Sequence, residues 1–341
     1  MREFSLVAAR TLRRLVPFDG VCVLTFDPAT MLPTGEVVVD GLPPEAMPRM
    51  AEIEVGAADF NKFPALSRAE IPAATLSGAT DGTLDRSLRH REVRRPHGFG
   101  DELRAALVSD STAWGGITLL REGGSPDFTD GESRAMAALA PHLAEGLRRA
   151  VSREALSTAE PEHPHTAGVV LIDDDNVIVQ ASDAAERWVE ELHARTDDGR
   201  VRGVLAAVAS RARGVAAGDL VADASARART ASGRWLLVHG SVLGQEPGPR
   251  TVVILEPVGP IEMAPLIADA YGLTDRERAI TQLVATGLST TSIAERLHLS
   301  PWTVQDHLKS IFEKTGAGTR GELVACLFFE HYAPRLKRAD A

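Results

Sequence analysis

Leu273-Thr274-Asp275-Arg276-Glu277, then Gly287-Leu288-Ser289, Ile293-Ala294 and Ser300-Pro301-Trp302-Thr303-Val304-Gln305-Asp306-His307-Leu308-Lys309, decide how the chain is read. Thr274 with Glu277 three residues on is a capping box. It opens a helix whose buried face is Ile280, Leu283 and Val284. Gly287 stands where a left-handed residue ends a helix. A short helix from about Thr290 to Leu297 follows, buried through Ile293, Ala294 and Leu297. After the turn His298-Leu299-Ser300, Ser300 is the N-cap and Pro301 the favoured N1 residue of a third helix, which runs to about Thr315. A fourth starts at a second capping box, Thr319-Arg320-Gly321-Glu322, and ends before Pro334. Two helices joined by a three-residue turn, the second with a preset N-terminus, form a helix-turn-helix.

The third helix carries two distinct faces. Counting about 100° per residue from Val304, Leu308 falls at about 40° and Ile311 at about 340°, a buried stripe. Trp302, Lys309 and Asp306 fall at about 160°, 140° and 200°, with Gln305 flanking at about 100°. Such a polar face on a rigid helix suits side chains that reach base edges in the major groove.

Residues 273–328 resemble the LuxR/GerE-type helix-turn-helix. That family reads LTxxE, GLS, IAxxL, SxxTVxxHL, KxG and a T/S-R pair. Here these are Leu273–Glu277, Gly287–Ser289, Ile293–Leu297, Ser300–Leu308, Lys314–Gly316 and Thr319-Arg320. The resemblance implies base contacts by Gln305, Asp306 and Lys309. It implies DNA-backbone contacts by Thr291, Ser300, Thr303, Lys314 and Arg320, with Trp302 beside them. It makes Leu323, Val324 and Leu327 of the fourth helix the dimerisation element of a homodimer on double-stranded DNA. Two positions depart from the usual residues. An aspartate at 306 repels phosphate but accepts from cytosine N4. A tryptophan at 302 either meets DNA or packs on a neighbouring helix.

The whole chain has 341 residues, 44% hydrophobic and 25% charged. That excludes a disordered, collagenous or coiled-coil protein and leaves room for two or three domains. Taken as an average over the chain, its net charge of −10 argues against a nucleic-acid partner. The charge is unevenly spread. Residues 1–157 hold 18 basic and 22 acidic groups, residues 158–270 hold 10 and 17, and residues 271–341 hold 9 and 8. The deficit therefore belongs to the front of the chain. Only four residues are lysine, and none lies between Phe63 and Leu308, so no P-loop or Schiff-base lysine exists in that stretch.

No nucleophile elbow, zinc motif or nucleotide fingerprint appears, so catalytic residues are not expected and the chain reads as a non-enzyme. Cys22 and Cys326 are too few for a disulfide framework and read as free thiols in a reducing cytoplasm. No apolar run reaches the roughly 18 residues of a membrane span.

The front divides at two linkers, Glu160–His165 and Glu256–Pro260. Residues 1–157 offer an amphipathic helix over Arg2–Val16 and strands at Val21–Phe26, Glu36–Val39, Glu102–Val108 and Trp114–Leu120. The last two pair across Ser109–Thr112, and a long helix from Thr129 or Asp130 presents Leu139, Leu143, Leu147 and Val151. This block resembles a GAF-like domain, through Trp114–Arg121, Phe128-Thr129 and the long helix. Residues 166–256 resemble a PAS-like domain. There Gly168–Ile172 and Val177–Gln180 flank an Asp/Asn turn, a helix runs from Asp183 to Leu192, and the hairpin Arg234–Gly240 with Thr251–Leu255 closes the block. Asp173-Asp174-Asp175 is a turn and not a phospho-receiver pair, because the chain returns at once as a strand and the region lacks a lysine.

The expected architecture is therefore two α+β sensor domains with antiparallel sheets, 1–157 and 166–256, and an all-α four-helix domain, 264–334. The resemblances imply a transcriptional regulator whose signal is a small molecule or a protein partner, with a haem- or redox-responsive form as the remaining reading. No cofactor is specified. Phe60, Phe63, Phe99 and Trp114 are candidate pocket residues. The arginine-rich run Arg86–Arg95 reads first as a solvated helix face and second as an anion site. His163 with His165 is a two-ligand motif and no metal site is expected; His90, His97 and Cys22 are haem-ligand candidates.

Overall fold

A computed structural model of the chain describes residues 2–155, 166–244 and 250–326. They fall in two compact units, Met1–Ala150 with Ala159–Pro257 and Val151–Thr158 with Val258–Ala341. The expected linker Glu160–His165, with His163 and His165, lies outside the described residues, as does Leu327.

The first unit opens with α1 (Arg2–Leu12), β1 (Gly20–Phe26), β2 (Pro33–Val39), α2 (Met47–Gly56), the single turn α3 (Phe63–Leu66), β3 (Ala73–Thr75) and the single turn α4 (Leu76–Ala79). Short helical turns at Leu84–Arg86, His90–Arg94 and Arg95–His97 lead into β4 (Phe99–Ser109), β5 (Thr112–Glu122) and α5 (Asp130–Ala155). Helix α1 stops at Leu12, four residues short of the expected end. The β4–β5 turn places Asp110 and Ser111 at φ 49° and 63°, the two left-handed residues of a tight hairpin turn. Helix α5 starts at Thr129, whose hydroxyl accepts from Glu132 N–H while the Glu132 carboxylate accepts from Thr129 N–H.

The sheet order is β2-β1-β5-β4-β3. Helix α5 covers one face with Met136, Ala140, Ala144 and Leu147, while the expected Leu139 and Leu143 are only half-buried. The small residues face the sheet because the approach is close. A Cβ on Gly115 would stand 2.6 Å from Leu147 Cδ2 and 2.2 Å from the Leu24 carbonyl oxygen. Helix α2 lies across the other face, where Ile53 shares a cluster with Phe99 and Leu120.

The second sheet follows: β6 (Gly168–Ile172), β7 (Ile178–Ala181), α6 (Asp183–Glu191), α7 (Gly203–Ala216), β8 (Ser225–Arg229), β9 (Trp235–Leu243) and β10 (Arg250–Pro257). Its order is β7-β6-β10-β9-β8, the same permutation as the first sheet. No sequence repeat announces this duplication, because the two sheets share topology and not residues. Helix α7 was not expected. It is apolar on all sides from Val204 to Ala209, as befits a helix with neighbours all round. The two sheets share a core, since Leu32 and Val55 join Trp188, Leu205, Leu236 and Val253 in one cluster. A buried ion pair adds to it: Asp27 accepts from Arg227 N–H at 2.7 Å, Nε at 2.9 Å and Nη2 at 2.6 Å.

The second unit is helical: α8 (Pro260–Ala270), α9 (Asp275–Ala285), α10 (Thr290–Leu297), α11 (Pro301–Thr315) and α12 (Arg320–Val324). Among the described residues no helix is long and apolar enough to cross a membrane.

Candidate nucleic-acid interface

Local chemistry sets each helix of the second unit. Thr274 Oγ1 accepts from Glu277 N–H and Glu277 Oε2 from Thr274 N–H at 2.7 Å, the complete capping box. Ser289 and Ser300 cap α10 and α11 by accepting from Ser292 N–H at 3.1 Å and Thr303 N–H at 3.0 Å. Between these helices His298 takes a left-handed conformation, φ 54°. The second capping box is only half formed: Thr319 accepts from Glu322 N–H, while the Glu322 carboxylate turns to Gly318 N–H.

Val304, Leu308 and Ile311 of α11 are buried, while Trp302, Gln305, Asp306 and Lys309 are exposed. Trp302 keeps 72% of its surface open and so does not pack on a neighbouring helix. About two turns of a helix thus present an indole, an amide, a carboxylate and an ammonium from a fixed base. Thr291 is exposed at the start of α10. Ser300 is exposed, and its hydroxyl bonds Thr303 Oγ1 at 2.8 Å.

Other residues with expected DNA or dimer roles are engaged inside the unit. Lys314 donates to Glu277 Oε2 at 2.6 Å. Arg320 donates to the Leu288 carbonyl at 2.8 Å and to Thr290 Oγ1 at 2.6 Å, tying the start of α12 to the start of α10. Leu323 is fully buried in its own unit and offers no surface to a second copy; Val324 is half-buried. The capping residue Glu277 also does more than its local pattern implies. It accepts from Ser310 Oγ at 2.7 Å as well as from Lys314, so it fastens α9 to α11. Burial works to raise its pKa, but the bonds from Lys314, the Thr274 N–H and Ser310 outweigh burial and hold it at about 2.

In the first unit, the four expected pocket aromatics do not converge. Phe63 packs with Phe26, Leu66 and Ala106, Phe99 with Leu42, Ile53 and Leu120, and Trp114 is fully buried; Phe60 is half-buried, with the Arg86 guanidinium 5.3 Å from its ring centroid. The arginine run is not a solvated face. Arg91 and Arg95 are exposed, but Arg89 and Arg94 turn inward to the buried Glu102 of β4. Arg89 also donates to the Phe60 carbonyl at 2.6 Å and pairs with Asp59 at 3.1 Å. Burial would raise the Glu102 pKa, yet the charges of Arg89, Arg94 and Arg104 hold it well below the usual carboxylate range. A signal for this existed. Glu102 and Arg104 alternate within a strand whose other residues from 103 to 108 are apolar, which puts two charges on one inward row. Of the haem-ligand candidates, His90 is buried and His97 Nδ1 lies 2.7 Å from the Val93 carbonyl. Among the described residues no group of three or more metal-ligating side chains forms.

The family model described as bacterial regulatory proteins, luxR family, matches residues 272–327. A chain of Mycobacterium tuberculosis (strain ATCC 25618 / H37Rv) named as an HTH-type transcriptional regulator is 48% identical over 52 residues. A Mycobacterium bovis regulator named in the same way shows the same identity over the same length. These alignments take in 15% of this chain and 6% of each relative. Among solved structures, Escherichia coli SdiA aligns at 12% identity and TM-score 0.32, over 96% of this chain and 91% of its own. The GAF domain/HD domain protein of Geobacter sulfurreducens aligns at 19% and 0.28, over 43% and 91%. The Vibrio cholerae VqmA–ligand–DNA complex aligns at 17% and 0.24, over 51% and 88%.

Proposed function

Since residues 272–327 are a LuxR-family helix-turn-helix domain, we propose that the chain is a sequence-specific, DNA-binding transcriptional regulator acting as a homodimer. The exposed face of α11 carries the reading: Gln305, Asp306 and Lys309 stand free on a helix whose opposite stripe is locked in the core. We assign residues 264–334 to DNA binding, 1–157 to a GAF-like sensor and 166–256 to a PAS-like sensor, both supported by their five-stranded antiparallel sheets of one shared strand order. A small molecule held by the sensor region is the signal. It sets whether two recognition helices are presented about one DNA turn, roughly 34 Å, apart.

The test is fluorescence-anisotropy titration of the full chain with fragments of its own promoter region at several salt concentrations. Specific binding with a log–log salt slope of several phosphates is expected. Lys309→Ala lowers specific affinity by about 1–3 kcal/mol. Binding no tighter than to unrelated DNA, at every salt concentration, overturns the reading.

A further inference from the structure

Antiparallel partners place their side chains on the same face. The pairings Val38–Cys22, Cys22–Thr118 and Thr118–Arg104 therefore form one row across the first sheet, on the face that α2 crosses. The pairing Leu120–Glu102 starts the next row. Glu102 is paired there with Arg89 and Arg94, but donors on three residues beside it are not used.

Arg94 is 2% exposed. Its Nε lies 2.5 Å from Glu102 Oε2, and its two η nitrogens reach no acceptor among the described residues. The contact with Glu102 puts the guanidinium at the Glu102–Leu120 pairing, next to the Arg104–Thr118 pairing. Arg104, also 2% exposed, donates from Nη1 to the Asn61 carbonyl at 3.1 Å and from Nη2 to Glu54 at 2.8 Å. It stacks 3.8 Å over the Phe63 ring, and its Nε has no partner. Thr118 is 3% exposed and its hydroxyl makes no hydrogen bond among the described residues.

Arg94 Nε and Arg104 Nε are the buried donors here that lack a hydrogen-bond partner, and leaving such donors unpaired is costly. Beside them the surface is apolar and partly open. Cys22, Leu24 and Val38 are each only half-buried. Burial, with help from Glu36, pushes the Cys22 thiol up to about 12 against the pull of Arg94 and Arg104, so it stays neutral. Glu36 pairs with Leu24 on the neighbouring row, which disfavours a second anionic group at that end.

We propose that this face binds a small organic monocarboxylate. The planar fork of Arg94 matches a carboxylate in two parallel hydrogen bonds. Arg104 Nε and Thr118 Oγ1 donate to the same group, and the apolar body rests on Cys22, Leu24 and Val38. This deepens, and rests on, the assignment of the first block as a sensor.

The test is isothermal titration of the full chain with sodium butyrate, sodium benzoate, sodium succinate, benzamide and sodium phosphate. A monocarboxylate is expected to bind, and succinate, benzamide and phosphate at least about tenfold more weakly. Arg94→Lys keeps a cation beside Glu102 but loses the fork, and weakens the carboxylate at least about tenfold. Cys22→Met fills the apolar end without touching any arginine and also weakens it, which covers the case in which Arg94→Lys does not fold. Three results overturn the proposal: no carboxylate bound at about 10 mM, phosphate bound in preference, or binding unchanged in both variants. Promoter binding is measured on the same preparation. Intact DNA binding without carboxylate binding removes the site and leaves the DNA-binding reading standing.

Discussion

Glu277 in the helical unit and Glu102 in the first sheet are both buried carboxylates kept ionised by cations, but their partners lie at different distances along the chain. Glu277 closes a capping box with Thr274, three residues away, and only then reaches Ser310 and Lys314. Glu102 has no such local start. Its guanidinium partners, Arg89 and Arg94, come from the turns preceding the strand, and Asp59 completes Arg89 from farther back. The helical unit is thus assembled from local signals with long-range braces added. The sheet carboxylate has no partner within one turn: its guanidiniums come from the irregular segment that precedes the strand, and only tertiary folding turns them inward. Removing one partner should therefore cost more in the sheet than in the helices.

The largest expected effect is at Glu102. Glu102→Ala leaves the buried Arg94 without its counter-ion and Arg89 with Asp59 alone, and costs about 3–5 kcal/mol in urea unfolding of the full chain. A loss below about 1 kcal/mol would erase the contrast. Asp27→Asn removes the charge that Arg227 meets through its backbone and side chain; a loss of about 2–3 kcal/mol is expected at an unchanged m-value. A fall in m instead would indicate that the two sheets no longer unfold together.

Glu277→Gln costs about 1–2 kcal/mol, since the amide still accepts hydrogen bonds but no longer neutralises Lys314. Its pH dependence has a definite sign. The folded pKa, about 2, lies below the ordinary 4.5, so ionisation favours the folded state. The advantage of the wild type over Glu277→Gln is full above about pH 4.5 and fades as the pH falls towards about 2, followed by thermal melts across that range. An advantage that persists at pH 2 would mean the charge is not its source. The smallest effect tests a role and not only a magnitude. Because Lys314 is held by Glu277, Lys314→Met lowers stability by about 1 kcal/mol and leaves the salt slope of DNA binding unchanged. A slope reduced by about one would return Lys314 to the phosphate contacts.

Most of the helical unit is legible in the sequence. Caps, the proline at 301 and the stripe Val304, Leu308, Ile311 act within one or two turns, so neighbours in sequence suffice to read them. Strands β1, β2, β4 and β5 and the β4–β5 hairpin were legible for the same reason. Helix α7 and β8 were not, because an Ala/Val run without periodicity and a short Arg/Ala strand take their form from what packs on them. The expected pocket does not form because aromatic type says nothing of direction, and the fold places Phe63 and Phe99 in different clusters. The arginine run failed on direction, since nothing in Arg86–Arg95 itself distinguishes Arg89 and Arg94, which turn inward, from Arg91 and Arg95, which stay in water.

By itself, then, the sequence determined the helix-turn-helix and the face it presents. Helix starts, stops and stripes are set by hydrogen bonds and periodicity within a few residues. The tertiary structure alone decided that two unlike stretches build the same five-stranded order, and that Lys314 and Arg320 brace the fold. It alone set Arg104, Thr118 and Cys22 in one row of a sheet face, with Arg94 at the neighbouring Glu102. Those outcomes depend on which distant segments share a desolvated space, and burial, not residue type, turns a charged side chain into a paired one or into a donor waiting for an acceptor.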